Sequence, residues 1–199
     1  MGGQAGGDVA SRLVMDSLAE LAPTLGGIAS APDLHEEERA TDRLTTMAEQ
    51  AHASILTHAA QHPPLYGMGT TLVMAHLLPL PKPRLLVLNV GDSRAYLVRA
   101  GTLTQLTRDH TLIEEYVRDG RLTPAQAACH PNRHVLTRAM GLAPHLESDL
   151  FFFDLLDGDL LLLCSDGLTK MLTDERITQA VLPHQSDPLR TTQTLIQRA

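Results

Sequence analysis

The chain has 199 residues, 43% of them hydrophobic and 20% charged, enough to bury one substantial core or two small ones. Its formal net charge of -7 argues against a nucleic-acid or anionic-membrane partner, either of which wants a basic surface. No run approaches the ~20 apolar residues that span a bilayer, and the two cysteines, Cys129 and Cys164, are too few for a disulfide framework, so a reducing, cytoplasmic setting is the expectation.

In chain order, Met1-Gly2-Gly3-Gln4-Ala5-Gly6-Gly7 runs straight into a helical pattern with no leader, like the middle of a loop. Val9, Leu13, Val14, Leu18 and Leu21 then form one stripe of a helix that Pro23 stops. Glycines before a helix N-terminus can cradle a phosphate, but no Lys-Ser/Thr follows, and a flexible approach loop explains them as well. Residues 23–32 read as a small-residue loop and 35–61 as a longer helix. His35-Glu36-Glu37-Glu38-Arg39 at its start has no second histidine at i+4 and so is a solvated, acidic first turn rather than a zinc motif.

The periodicity then changes. Residues 70–78, 84–90, 94–99 and 102–107 read as short strands, joined by a proline-rich turn at 79–83, by Gly91-Asp92-Ser93 and by Ala100-Gly101. That pattern predicts an antiparallel meander and excludes a doubly wound parallel sheet. Residues 108–140 are irregular, with one helix over 111–119 and another opened by Thr123-Pro124. Cys129, His130 and His134 lack a fourth partner at any standard zinc spacing. Residues 151–155 and 159–164 read as two strands of a hairpin around Asp157-Gly158, the second an apolar run expected to be buried on both faces. Helices follow over 173–181 and from Pro188.

Asp92 and Asp166 each stand in a turn at the end of an apolar strand, beside a glycine. Three readings compete for them. Gly91-Asp92-Ser93 matches the nucleophile block of a Gly-Asp-Ser esterase, but no Asp-x-x-His follows to activate the serine. Turn carboxylates brought together by a sheet suit a hard dication such as Mg2+ or Mn2+, and a pair of such ions can activate water against a phosphoryl group. Alternatively both aspartates merely form turns or cap the segments after them.

Four stretches occur in one order at suitable spacings: Met1 to Ser11 (Met-Gly-Gly-Gln-Ala-Gly-Gly-Asp-Val-Ala-Ser), Gly67-Met68-Gly69-Thr70-Thr71-Leu72, Gly91-Asp92-Ser93-Arg94-Ala95-Tyr96 and Cys164-Ser165-Asp166-Gly167-Leu168-Thr169. Together they resemble the bacterial metal-dependent protein serine/threonine phosphatases of the 2C type. Leu106-Thr107-Arg108-Asp109-His110 and the segment from Gly120 to Gly141 resemble the flap of those enzymes.

The resemblance implies an α+β sandwich of two packed antiparallel sheets flanked by helices, one domain over 1–199 with a flap subdomain at about 108–141. It implies two inner Mg2+ or Mn2+ ions and a third, looser one, with a metal-bridging water attacking phosphoserine or phosphothreonine directly. Asp166 matches the metal-binding, catalytic aspartate of the Ser-Asp-Gly motif, and Asp92 the aspartate that shares the outer ion. Phosphorylated proteins are the implied substrates, and a serine/threonine kinase the implied counterpart. The pattern also departs from the family's. The Asp-Gly that bridges both metals would stand just before Met1, Gln4 replaces a histidine, and the final Asp-Asn and last strand lie beyond Ala199. The expectation is therefore a sandwich without its edge strands at both termini and a weakly active or inactive piece of a phosphatase. A non-catalytic, phosphatase-like binding module is the alternative.

Overall fold

The structure, a computed structural model, describes residues 6–22, 35–78 and 82–199. The residues Met1–Ala5 that include Gln4, the loop expected at 23–32 and most of the turn at 79–83 lie outside them. Helix α1 (Gly7–Leu21) and the longer α2 (Glu36–Gln61) precede four strands, β1 (Leu72–Leu78), β2 (Arg84–Val90), β3 (Arg94–Arg99) and β4 (Thr102–Gln105). Two short helices, α3 (Leu112–Arg118) and α4 (Pro124–Ala128), lead to β5 (Asp149–Asp154) and β6 (Leu160–Cys164). The single turn α5 (Asp166–Thr169), then α6 (Asp174–Val181) and α7 (Pro188–Arg198), complete the described chain.

The four central strands do not form one meander. They divide between two antiparallel sheets, one ordered β1-β2-β5 and the other β4-β3-β6. The reason lies in β2 and β3, which are apolar on both faces and therefore each want a central place with cover above and below. Leu86, Leu88 and Val90 face α1 and α2 in a core with Ala10, Val14, Leu44, Ala51 and Ile55. Leu85 and Val87, on the other face of β2, meet Ala95 and Leu97 of β3 between the sheets. Val98, from the far face of β3, packs with Ile177, Ala180 and Val181 of α6 and Leu195 of α7. The result is four layers, helix–sheet–sheet–helix, with three apolar seams; each fully buried leucine or isoleucine contributes roughly 1.5–3 kcal/mol to them.

Two other expectations change for the same reason. The strands around Asp157-Gly158 are not hairpin partners: β5 pairs with β2, and β6 pairs with β3, so their turn crosses from one sheet to the other. Arg99 grips that turn through both Asp159 oxygens, at 2.8 and 2.6 Å. Nor is β6 buried on both faces. Among the described residues it is an edge strand, and Leu163 is 42% exposed. No helix of the described residues is long and apolar enough to cross a membrane.

Candidate active site

The register of β3 against β6 places the two aspartates. Arg94 lies opposite Cys164, and carrying that pairing two residues further brings the β2–β3 crossover against the start of α5. Asp92, in the crossover, and Asp166, the first residue of α5, line one cleft of about 730 Å³. Residues 74 positions apart in sequence thus share a wall because each ends a strand at the same end of the sandwich.

The crossover is held by backbone and buried side chains. Gly91 takes a left-handed φ of 105°, and a Cβ there would come 2.4 Å from the Thr71 methyl carbon. The His110 backbone N–H donates to the Gly91 oxygen at 3.0 Å, and the Gly91 N–H donates to His110 Nδ1 at 3.1 Å. With Nδ1 accepting, the ring proton sits on Nε2, 3.3 Å from Asp149 Oδ2. Asp149 is held in turn by Arg138 at 2.8 Å. Asn89 braces the same turn by donating to the oxygens of Gly91 and Arg108. Ser93 is buried, and its hydroxyl bonds to Thr71 Oγ1 at 2.8 Å rather than to a histidine, so the esterase reading has no support in the geometry.

The electrostatics of the two aspartates diverge. Burial raises the Asp92 carboxyl above the usual carboxylate range, and the charges of Asp166 and Asp109 raise it further. Burial also pushes Asp166 upward, but the hydrogen bond and charge of Lys170 outweigh it, and Asp166 stands below the usual range. Asp109 is spoken for by a fork from Arg94, whose Nε and Nη2 reach it at 2.8 and 2.7 Å. Arg94 Nη1 also donates to the Tyr96 hydroxyl, which donates to Asp174 at the start of α6, tying the cleft wall to the outer helices.

Much of the remaining lining comes from the excursion between β4 and β5. Thr111, which caps α3 by accepting from the Glu114 N–H, lines the cleft together with Ile113, Glu114, Arg133 and His134. The excursion is anchored where it returns: Thr70 and Met140 exchange backbone hydrogen bonds at 3.2 and 2.9 Å. His52 of α2 accepts from the Gly141 N–H at 3.0 Å, and its other ring nitrogen lies 2.9 Å from the Ala143 oxygen.

The donors suit a hard dication in kind, since both are carboxylates, and the charges of Asp166 and Asp109 are felt at Asp92 on top of its burial. Among the described residues, however, no group of three or more His, Cys, Asp or Glu side chains stands close enough to hold an ion. Among the described residues, Asp92 and Asp166 would therefore need further oxygens to complete a dication's shell. Sequence reasoning singled out these two and missed Lys170, His110 and the Arg94–Asp109 fork. The Asp166-to-Lys170 spacing of four was a legible signal; the other two needed the fold.

Known proteins settle the family. The sequence profile of protein phosphatase 2C matches residues 1–197. The chain belongs to the protein phosphatase 2C family. The serine/threonine phosphatase stp of Listeria welshimeri is 36% identical over 174 residues, 87% of this chain and 66% of that protein, so the chain spans just under two thirds of its length. The crystal structure of the serine/threonine phosphatase Stp1 from Staphylococcus aureus superimposes with a TM-score of 0.82 at 33% identity, covering 99% of this chain and 73% of that one. The catalytic domain of the phosphatase PstP, in a crystal structure with 2 manganese ions, matches with a TM-score of 0.77 at 35% identity, over 99% of this chain and 76% of that domain. The two-sheet sandwich flanked by helices is thus the protein phosphatase 2C fold, and the family's chemistry is metal-dependent.

Proposed function

We propose that this chain carries the catalytic cleft of a protein serine/threonine phosphatase, with Asp166 as an inner metal ligand and Asp92 as the ligand of an outer, looser ion. The observation that supports it is the meeting of Asp92 and Asp166, from separate motifs and separate strands, in one cleft of a protein phosphatase 2C fold. Two inner ions of Mg2+ or Mn2+ are the proposed complement. Such ions supply a water that is nucleophilic at neutral pH and neutralise phosphoryl oxygens.

The chain's own residues do the rest. His110 and Asn89 hold the Gly91–Asp92 turn in place, and the Asp109 fork keeps Arg94 folded against the wall. Arg133 and Lys170 line the same cleft, so a phosphate dianion entering it meets positive charge as well as the carboxylates. Residues 108–141 are proposed as the flap subdomain of one domain that spans the chain, a reading supported by their side chains lining the cleft with Asp92. The proposed substrates are phosphoserine and phosphothreonine proteins, the products of a serine/threonine kinase. The proposed setting is the cytoplasm, in keeping with the free Cys129 and Cys164.

The test is release of phosphate from a phosphothreonine peptide by residues 1–199 in Mn2+ and in excess chelator. Slow release that the chelator stops, and that Asp166→Asn lowers by at least roughly a hundredfold, is expected, because the substitution removes a ligand and a charge together. Release that survives the chelator or the substitution would overturn the assignment.

A further inference from the structure

Lys170 lines the cleft with Asp166, and the proposed chemistry gives it no part in holding the metal. It follows α5 directly, and its backbone N–H donates to the Asp166 oxygen at 2.9 Å, one helical turn back. That spacing puts the two side chains on the same face, with the acid N-terminal to the base, the favourable order. The Lys170 ammonium accordingly rests on Asp166 Oδ2. It lines the cleft with Asp92 and its charge is felt there as well.

The same carboxylate oxygen cannot bond the ammonium and coordinate an ion at full strength. We propose that Lys170 is a tethered counter-cation, occupying the ion-binding side of Asp166 and lowering the affinity of this chain for divalent metal. The proposal rests on the reading of Asp166 as a metal ligand. Two costs fall on an arriving ion. It must break the Lys170 bond, and it must then sit beside a residual ammonium that repels it. Neither cost is prohibitive. The Lys170 side chain is 43% exposed and carries its charge on a flexible stem, so it can swing into solvent as the ion arrives. Lys170 therefore sets how much metal is needed without blocking the site.

Mn2+ binding to residues 1–199, followed by the paramagnetic resonance signal of free Mn2+, tests this without any turnover measurement. Lys170→Met should tighten binding about tenfold, whereas Lys170→Arg, which keeps the charge, should stay within about twofold of the wild type. The gain from Lys170→Met should vanish when Asp166→Asn is also present, because the lysine acts through that carboxylate. Wild-type affinity in Lys170→Met, with Asp166→Asn still weakening binding, would overturn the proposal and leave the metal-ligand reading standing. Unchanged binding in Asp166→Asn itself would instead overturn that reading.

Discussion

His110 braces the turn that carries Asp92 from outside the cleft itself. It is 5% exposed, and burial holds its ring below the ordinary histidine range despite the opposing pull of Asp149. The neutral ring is the form the geometry requires, since Nδ1 must accept from the Gly91 N–H. Protonation below pH ~6.5 is therefore easier in the unfolded chain than in the folded one, so the stability it confers is present above that pH and lost as pH falls below it. The Asp149 carboxyl, which His110 and Arg138 hold below the usual range against the upward push of burial, contributes only in the more acidic carboxylate window. His110→Asn should thus lower the urea midpoint at pH 7.5, and the gap to wild type should shrink by pH 5.5. A gap that stayed constant over that range would mean that the ring's protonation state does not matter to the fold.

At the scale of elements, strands and helices were legible, as were the β1–β2 and β3–β4 pairings, but the pairings made by β5 and β6 were not. Alternation and turn residues placed β1 to β6 within a few residues, and the Thr123-Pro124 start of α4 was read from its cap. What local pattern cannot say is which strands far apart in the chain lie side by side. Val87 faces Phe151, 64 positions away, and Tyr96 faces Leu162, while the chain-adjacent β2 and β3 lie in different sheets. The only local clue was that β2 and β3 are apolar on both faces, which a meander with one solvated face does not need. Asp92 and Asp166 could be named as candidates from their turns, but their meeting depends on that sheet change. The crossover itself makes a prediction. Gly91→Ala would set a methyl against Thr71 in a left-handed conformation and should cost about 2–4 kcal/mol. Gly101→Ala shares the positive φ but meets nothing within 4 Å and should cost about 1 kcal/mol. Equal urea midpoints for the two variants would show that the crossover is not the tight point described.

At the scale of the molecule, the sandwich does one thing for function: it delivers the ends of strands from both sheets to a single rim and closes that rim with the β4–β5 excursion. Burial on three seams fixes the strands, and the rim inherits their rigidity. The chain carries another acidic surface, the Glu36-Glu37-Glu38 turn of α2, where Arg39 and Arg84 already pair with the acids. A dication drawn by charge alone could settle there; one drawn by the cleft could not. Amide NMR of residues 1–199 with substoichiometric Mn2+ separates the two. The amides of Asp92, Ser93, Asp166 and Gly167 should broaden first, with those of Glu36 to Glu38 still sharp; broadening that begins at the α2 turn while the cleft amides stay sharp would contradict the assignment of Asp92 and Asp166 as the metal site.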